Sequence, residues 1–117
     1  MDINDAVASL SALAQYSRLS AFRLLVRAGG EGMVAGDIAR ALQVPNNTLS
    51  AHLSVLQQAG LIYSEREGRS IRYRVEFSGV RALLGFLVED CCQGSPEVCA
   101  PLLEQLLPEC CPGEVRA

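Results

Sequence analysis

The chain has no Lys and no Trp, a single His (His52), and no cysteine in its first 90 residues. Each shortage excludes something. One His, with no nucleophile and base arranged to pair with it, leaves no constellation for acid–base or covalent chemistry, so no enzyme is expected. Apolar runs are short: the longest, Ala82 to Val88, contains Gly85 and ends at Glu89, far below the ~20 residues of a membrane span. The N-terminus Met1-Asp2-Ile3-Asn4-Asp5 is acidic, and no signal peptide is visible. A cytoplasmic protein without membrane association is expected. At 117 residues the chain makes one domain, with a modest core that dimerisation would help to stabilise. All ten basic residues are Arg, which suits bidentate phosphate contacts, genomic composition being the alternative reason.

What is present is organised around Pro45 to Gly60, PNNTLSAHLSVLQQAG. Leu49, Leu53 and Leu56 fall at i, i+4 and i+7 and predict a helix with one narrow buried stripe. Asn47, Ser50, Ala51, Ser54 and Gln58 fall on the opposite face. No charged residue lies between Gln43 and Ser64, whereas an ordinary solvated helix would carry Lys and Glu. Small and amide side chains allow close approach, and they can donate to and accept from base edges in a DNA major groove. Taken alone, the helix also fits a merely polar surface.

Its neighbours narrow the choice. Met33 to Leu42, MVAGDIARAL, predicts a short helix with Ile38 and Leu42 inward and the small Ala39 at a close crossing. Gln43-Val44-Pro45 interrupts it, because proline is disfavoured inside a helix and accepted in a first turn. Two short helices joined by a tight turn form a helix-turn-helix. Downstream, Leu61 to Phe77 alternates Ile71, Tyr73, Val75 and Phe77 with Arg72, Arg74 and Glu76, the period of a strand. Glu67-Gly68-Arg69 supplies a hairpin turn, with Gly68 free to take a positive φ. The expected fold is mainly α with a β-hairpin wing, a winged helix-turn-helix.

Charge placement points the same way. Between Arg40 and Arg74 five Arg face two Glu, a local balance of +3 in a chain of net charge −3. A hairpin tip with Arg66, Arg69 and Arg72 beside an uncharged helix suits phosphate clamping next to base readout. The candidate DNA-binding residues are Asn46, Asn47, Thr48, Ser50, Ser54, Arg66, Arg69 and Arg72.

The run TLSAHLSVLQQAGLIYSEREGRSIRYRV resembles the ArsR/SmtB family of dimeric winged-helix repressors. Ser50, His52 and Leu53 match its helix motif, Ala59, Gly60 and Leu61 its exit, and Glu67, Gly68, Arg69 and Tyr73 its wing. The likeness extends over roughly residues 5 to 92. It implies a homodimeric repressor that binds double-stranded operator DNA and releases it when a metal or metalloid binds.

The remaining elements fit a dimer. Ile3, Ala6, Val7, Leu10 and Leu13 form an apolar stripe on a first helix; Ser17 is the expected N-cap of a second, Arg18 to Ala28, with Leu19, Phe22, Leu25 and Val26 inward. Gly29-Gly30-Glu31-Gly32 ends that helix. Ser78-Gly79 is expected to break the strand before a last helix, Val80 to Cys91, with Val80, Leu83, Leu84 and Leu87 in register. One winged helix has little surface left for both stripes, so the N- and C-terminal helices are expected to pack against their symmetry mates. Residues 1–92 would form the DNA-binding and dimerisation domain, and 93–117 a flexible cysteine-rich tail.

All five cysteines, Cys91, Cys92, Cys99, Cys110 and Cys111, lie in the last 27 residues. A reducing cytoplasm and the odd count argue against a disulfide scaffold. Adjacent pairs and the absence of further His argue against structural zinc. Glu89 and Asp90, near the negative end of a helix, should raise the neighbouring thiols above their ordinary pKa of about 8.5, which disfavours a fast oxidant sensor. A thiophilic metalloid avoids that limit, because sulfur bonding itself displaces the proton. Cys91, Cys92 and Cys99 offer three sulfurs to As(III) or Sb(III), an arrangement similar to that of some family members. Cys110 and Cys111 have no assigned counterpart: a second soft-metal pair, a reserve of ligands and an incidental pair all remain open. A redox- or other-soft-metal-responsive repressor, an organoarsenical-selective sensor and a soft-metal storage protein are the alternatives.

Overall fold

The structure, a computed structural model, describes residues 1–88, and every cysteine lies outside them. Residue contacts group Met1–Phe86 into one unit and Leu87–Ala117 into another. Along the chain run α1 (Ile3–Leu13), α2 (Tyr16–Ala28), a 3-10 turn (Gly29–Glu31), β1 (Met33–Val34), α3 (Ala35–Leu42), α4 (Asn46–Gln58), β2 (Ile62–Glu67), β3 (Ser70–Val75) and α5 (Phe77–Leu87). This is the winged helix-turn-helix that the sequence predicts. Among the described residues no helix is long and apolar enough to cross a membrane.

The core forms where the apolar faces of α2, α3 and α4 meet the strands. Leu25, Ile38, Leu49, Leu53, Leu56, Leu61 and Ile62 are almost wholly withdrawn from water, and Ala21, Ala39 and Val75 fill the spaces between them. Between α3 and α4 the chain turns through Gln43, which adopts the left-handed conformation at φ 59°. Its amide and that of Val44 donate to the Arg40 and Ala39 carbonyls, closing the end of α3. Pro45 then stands at the N-cap of α4, where its missing N–H costs nothing.

Several local expectations are corrected. Met33 and Val34 are not the start of a helix: they pair antiparallel with Tyr73 and Arg72, so the wing hairpin gains a third strand in the order β1-β3-β2. α2 starts at Tyr16, because Gln15 rather than Ser17 is the cap, its Oε1 accepting from the Arg18 amide at 2.8 Å. Leu19, expected inward, is exposed. In α1 the small residues Ala6, Ser9 and Ala12 face the protein, while Ile3, Val7 and Leu10 stay 64, 57 and 43% exposed. A capping box of Asp2 and Asp5 starts that helix.

Ser78-Gly79 does not itself break the strand, which ends at Val75, but lies in the first turn of α5. Strand pairing stops where the Glu76 amide donates to the Leu61 carbonyl, and the Glu76 carbonyl then accepts from Gly79 and Val80. Gly79 is required there: a Cβ would overlap the carbonyl oxygen of Gly60, at the exit from α4. Backbone therefore lies on both sides of the contact, and neither side can yield by rotating a side chain. Gly79→Ala should cost about 1–3 kcal/mol, typical of overpacking, and lower the melting temperature by about 4 °C or more. Gly30→Ala, where an added Cβ meets nothing within 4 Å, should leave melting unchanged in the same calorimetric comparison.

Candidate nucleic-acid interface

The same burial that seats α4 determines what it leaves outside. With Leu49, Leu53 and Leu56 inward, Asn46, Asn47, Thr48, Ser50, Ala51, Ser54 and Gln58 are all exposed. Neither end turn of α4 carries a charged residue of the kind that would complement the helix dipole. Asn47 turns back on its own helix, its Oδ1 accepting from the Thr48 amide at 2.9 Å. Its amide NH2 stays available as a donor.

In the wing, β2 and β3 pair in register from Ile62↔Val75 to Glu67↔Ser70, leaving Gly68 and Arg69 as a two-residue turn. Gly68 has φ 62°, the left-handed geometry that such a turn uses. The three arginines proposed for phosphate contact are not equivalent. Arg66 and Arg69 are exposed and, among the described residues, make no ion pair. Arg72 is held: its Nε donates to Glu67 Oε2 at 2.9 Å and its Nη1 to the Glu31 carbonyl at 3.0 Å. Arg74 is held likewise, by Glu65 and by the Gly30 carbonyl. These two arginines fasten the wing to the glycine loop after α2. The mobile charge of the wing is thus that of Arg66 and Arg69.

Between α4 and the wing lies a cleft of about 430 Å³ lined by Ser54, Gln57, Gln58 and Tyr73. It adds Gln57 and Tyr73 to the surface that the sequence singles out. Burial pushes the Tyr73 phenol above its ordinary pKa. Alternation along β3 assigns Tyr73 to the inner face, and only the fold shows that its half-buried side chain also borders this cleft. His52 does not join the exposed set; it is half-buried on the flank of α4, near Arg18. The candidate metalloid ligands Cys91, Cys92, Cys99, Cys110 and Cys111 lie outside the described residues, and no cluster of metal-ligating side chains is found among those described.

Comparison with known proteins agrees with this geometry. The family described as "Helix-turn-helix domain" matches residues 8–65. The chain is 30% identical over 82 residues to the HTH-type transcriptional regulator YgaV of Escherichia coli K12, covering 70% of this chain and 81% of YgaV. It is 27% identical over 90 residues to the transcriptional activator HlyU of Vibrio cholerae, covering 77% and 81%; a solved structure of that protein, described as reduced, superposes with a TM-score of 0.60, covering 77% of this chain and 92% of that one. The homodimeric winged helix-turn-helix domain of Mb0332 from Mycobacterium bovis, described as a possible ArsR-family regulator, is 28% identical with a TM-score of 0.61, covering 80% of this chain and 86% of that one. The winged helix-turn-helix fold, shared with relatives that are transcriptional regulators, is DNA-binding machinery and not an enzyme: the chain belongs to the ArsR-like family of winged helix-turn-helix transcriptional regulators.

Proposed function

We propose that the protein is a homodimeric repressor that binds operator DNA through α4 and the wing and releases it when As(III) or Sb(III) is held by Cys91, Cys92 and Cys99. The observation that carries the DNA part is the pairing of an uncharged, fully exposed face on α4 with Arg66 and Arg69 at the wing tip. Asn46, Asn47, Thr48, Ser50 and Ser54 read bases or bind the adjacent backbone; Arg66 and Arg69 neutralise phosphates. Arg72 supports them by holding the hairpin in place.

Dimerisation is supported by the inverted packing of α1. A helix that turns Ala6, Ser9 and Ala12 inward and leaves Ile3, Val7 and Leu10 in water keeps its larger apolar face for a protein partner. Leu84 of α5 is exposed in the same way, 55%. Mb0332 is described as homodimeric, and a two-fold assembly would present two copies of α4 to sites about one DNA turn, ~34 Å, apart.

The inducer part rests on the cysteines, all placed after α5 in the sequence. Cys91 follows the last residue of α5, Leu87, by four positions. Three thiols would replace the three hydroxyls of arsenite with As–S bonds and release three waters. The other end of α5 rests on the Gly60 carbonyl, so a displacement of this helix would bear directly on the exit of α4. A redox-responsive regulator is the rival reading, because a relative, HlyU, has a structure described as reduced; that relative is also named an activator, so the direction of regulation is part of the test.

Two measurements test the reading. A duplex selected by the protein from a random pool is followed by fluorescence anisotropy. Arg66→Ala and Arg69→Ala should weaken binding to all sequences alike and lower the salt slope by about 0.9 for each phosphate no longer neutralised. Asn47→Ala or Ser50→Ala should change sequence preference instead, at about 1–3 kcal/mol for the base pair contacted. Survival of mismatch discrimination in both helix variants would remove α4 from base readout.

The second measurement adds inducers to the same complex. Arsenite should release the wild-type protein from DNA, and Cys91→Ser or Cys92→Ser should bind DNA but no longer respond. Cys99→Ser should lose the arsenite response and keep that to a methylarsenical, which needs only two sulfurs. Release by diamide but not by arsenite, reversed by dithiothreitol, would establish the redox reading. A normal arsenite response in Cys99→Ser, abolished only when Cys110 and Cys111 are also replaced, would move the third ligand to those positions.

A further inference from the structure

One guanidinium joins three helices. The last turn of α1 leaves carbonyls short of intrahelical partners, and Arg18 supplies donors to two: Nε to Ala12 O at 2.6 Å and Nη2 to Ser11 O at 3.3 Å, the latter also accepting from the Ala14 amide. The amide of Arg18 is held in turn by the Gln15 cap of α2. Its remaining nitrogen, Nη1, lies 3.5 Å from Nδ1 of His52, in the middle of α4. Arginine donates only, so in this contact Nδ1 of His52 is the accepting side. A second contact lies seven residues further along α4, where the buried Ser9 hydroxyl donates to the Ala59 carbonyl at 3.5 Å. Both are long for hydrogen bonds. Their value is in where they hold α4 and not in bond strength.

We propose that Arg18 is a positioning residue for DNA discrimination: by joining the end of α1 to His52, it fixes the rotation of α4 about its own axis relative to the helix that carries Ile3, Val7 and Leu10. The leucine face of α4 consists of three similar side chains against an apolar core, and apolar contacts are not directional. They seat the helix but define its rotation weakly. A planar fork anchored on two α1 carbonyls is directional. His52 lies roughly 160° around the helix from Ser50 and Ser54, so it is remote from the bases those residues would face and acts only through the helix. This inference rests on the reading of the protein as a DNA-binding regulator, and it adds a residue from outside both the helix-turn-helix and the wing.

The test uses full-length protein, the duplex selected by wild type and a scrambled duplex of the same length. Arg18→Lys keeps the charge and loses the fork; His52→Leu removes the acceptor; His52→Asn places an amide oxygen near the position of Nδ1. Arg18→Lys and His52→Leu should each reduce the ratio of selected to scrambled affinity about tenfold or more, with the salt slope unchanged. His52→Asn should restore the ratio, and the double variant Arg18→Lys/His52→Leu should be no worse than either single one. A merely structural role would lower the melting temperature and leave the ratio of the folded protein intact, which overturns the proposal. A slope reduced by about 0.9 in Arg18→Lys would also overturn it, by making Arg18 a phosphate contact. Should Arg18→Lys fail to fold, the contrast between His52→Leu and His52→Asn decides alone. If wild type shows no preference for any duplex, the DNA-binding reading itself fails; if wild type discriminates and every variant matches it, only the role of Arg18 fails.

Discussion

The seating of α4 is the constraint on which the rest of the structure depends. Leu49, Leu53 and Leu56 are each at most 1% exposed, and burying a leucine side chain contributes roughly 1.5–3 kcal/mol. No other face of the helix could supply comparable stabilisation, since the remaining residues are Asn, Ser, Thr, Gln and Ala, with the half-buried His52 and a single exposed Val55. Composition therefore decides which side of the helix faces inward, while non-directional packing leaves its fine rotation to other contacts, and the outward face is whatever remains. A helix held so firmly on one side needs no charge on the other to stay in place. Its outer surface can then be shaped for close approach to a ligand instead of for solvation.

The helix-turn-helix and the hairpin were legible in the sequence because each has a strong period and a clear stop: leucines at i, i+4 and i+7, Pro45 at a helix start, Gly68 at a two-residue turn. What was not legible has physical causes of its own. Met33-Val34 is a strand of two residues, too short to show a period, and it exists only because β3 offers a free edge to pair with. Ser78-Gly79 has the composition of a breaker, but Gly79 is selected by the approach of Gly60, a contact 19 residues away in sequence. Arg72 and Arg74 look like solvated charges of an alternating strand, and their partners in the Gly29–Glu31 turn emerge only once the chain is folded.

The packing of α1 shows a limit of periodicity itself. Ile3, Ala6, Val7, Leu10 and Leu13 read as one apolar stripe, yet the helix divides it, with the small residues inward and the large ones out. A hydrophobic period says that a face avoids water and is silent on which surface covers it. Within one chain the outward face of α1 is a cost. It becomes a contribution to stability only when something apolar covers it, which is why composition and length alone make dimerisation the natural reading for so small a domain. The metalloid ligands pose a different problem. Their chemistry is read from cysteine placement, and their geometry lies outside the described residues.

The two attachments of α4 differ in kind, and the difference bears on how regulation could work. At the helix exit, Gly79 meets Gly60 backbone to backbone, a contact with no rotamer to relax it, so α5 cannot press further toward the end of α4 without moving it. On the flank, α1 holds α4 through side chains, Arg18 to His52 and Ser9 to Ala59, which can lengthen or break at modest cost. A displacement of α5 toward the exit of α4 would therefore be passed on to α4, and the side-chain contacts to α1 would be the ones to yield. A ligand can shift such an equilibrium only by the difference in its affinity for the two arrangements. A stiff input joined to a compliant tether makes that difference act on the rotation of α4 and not on the fold as a whole.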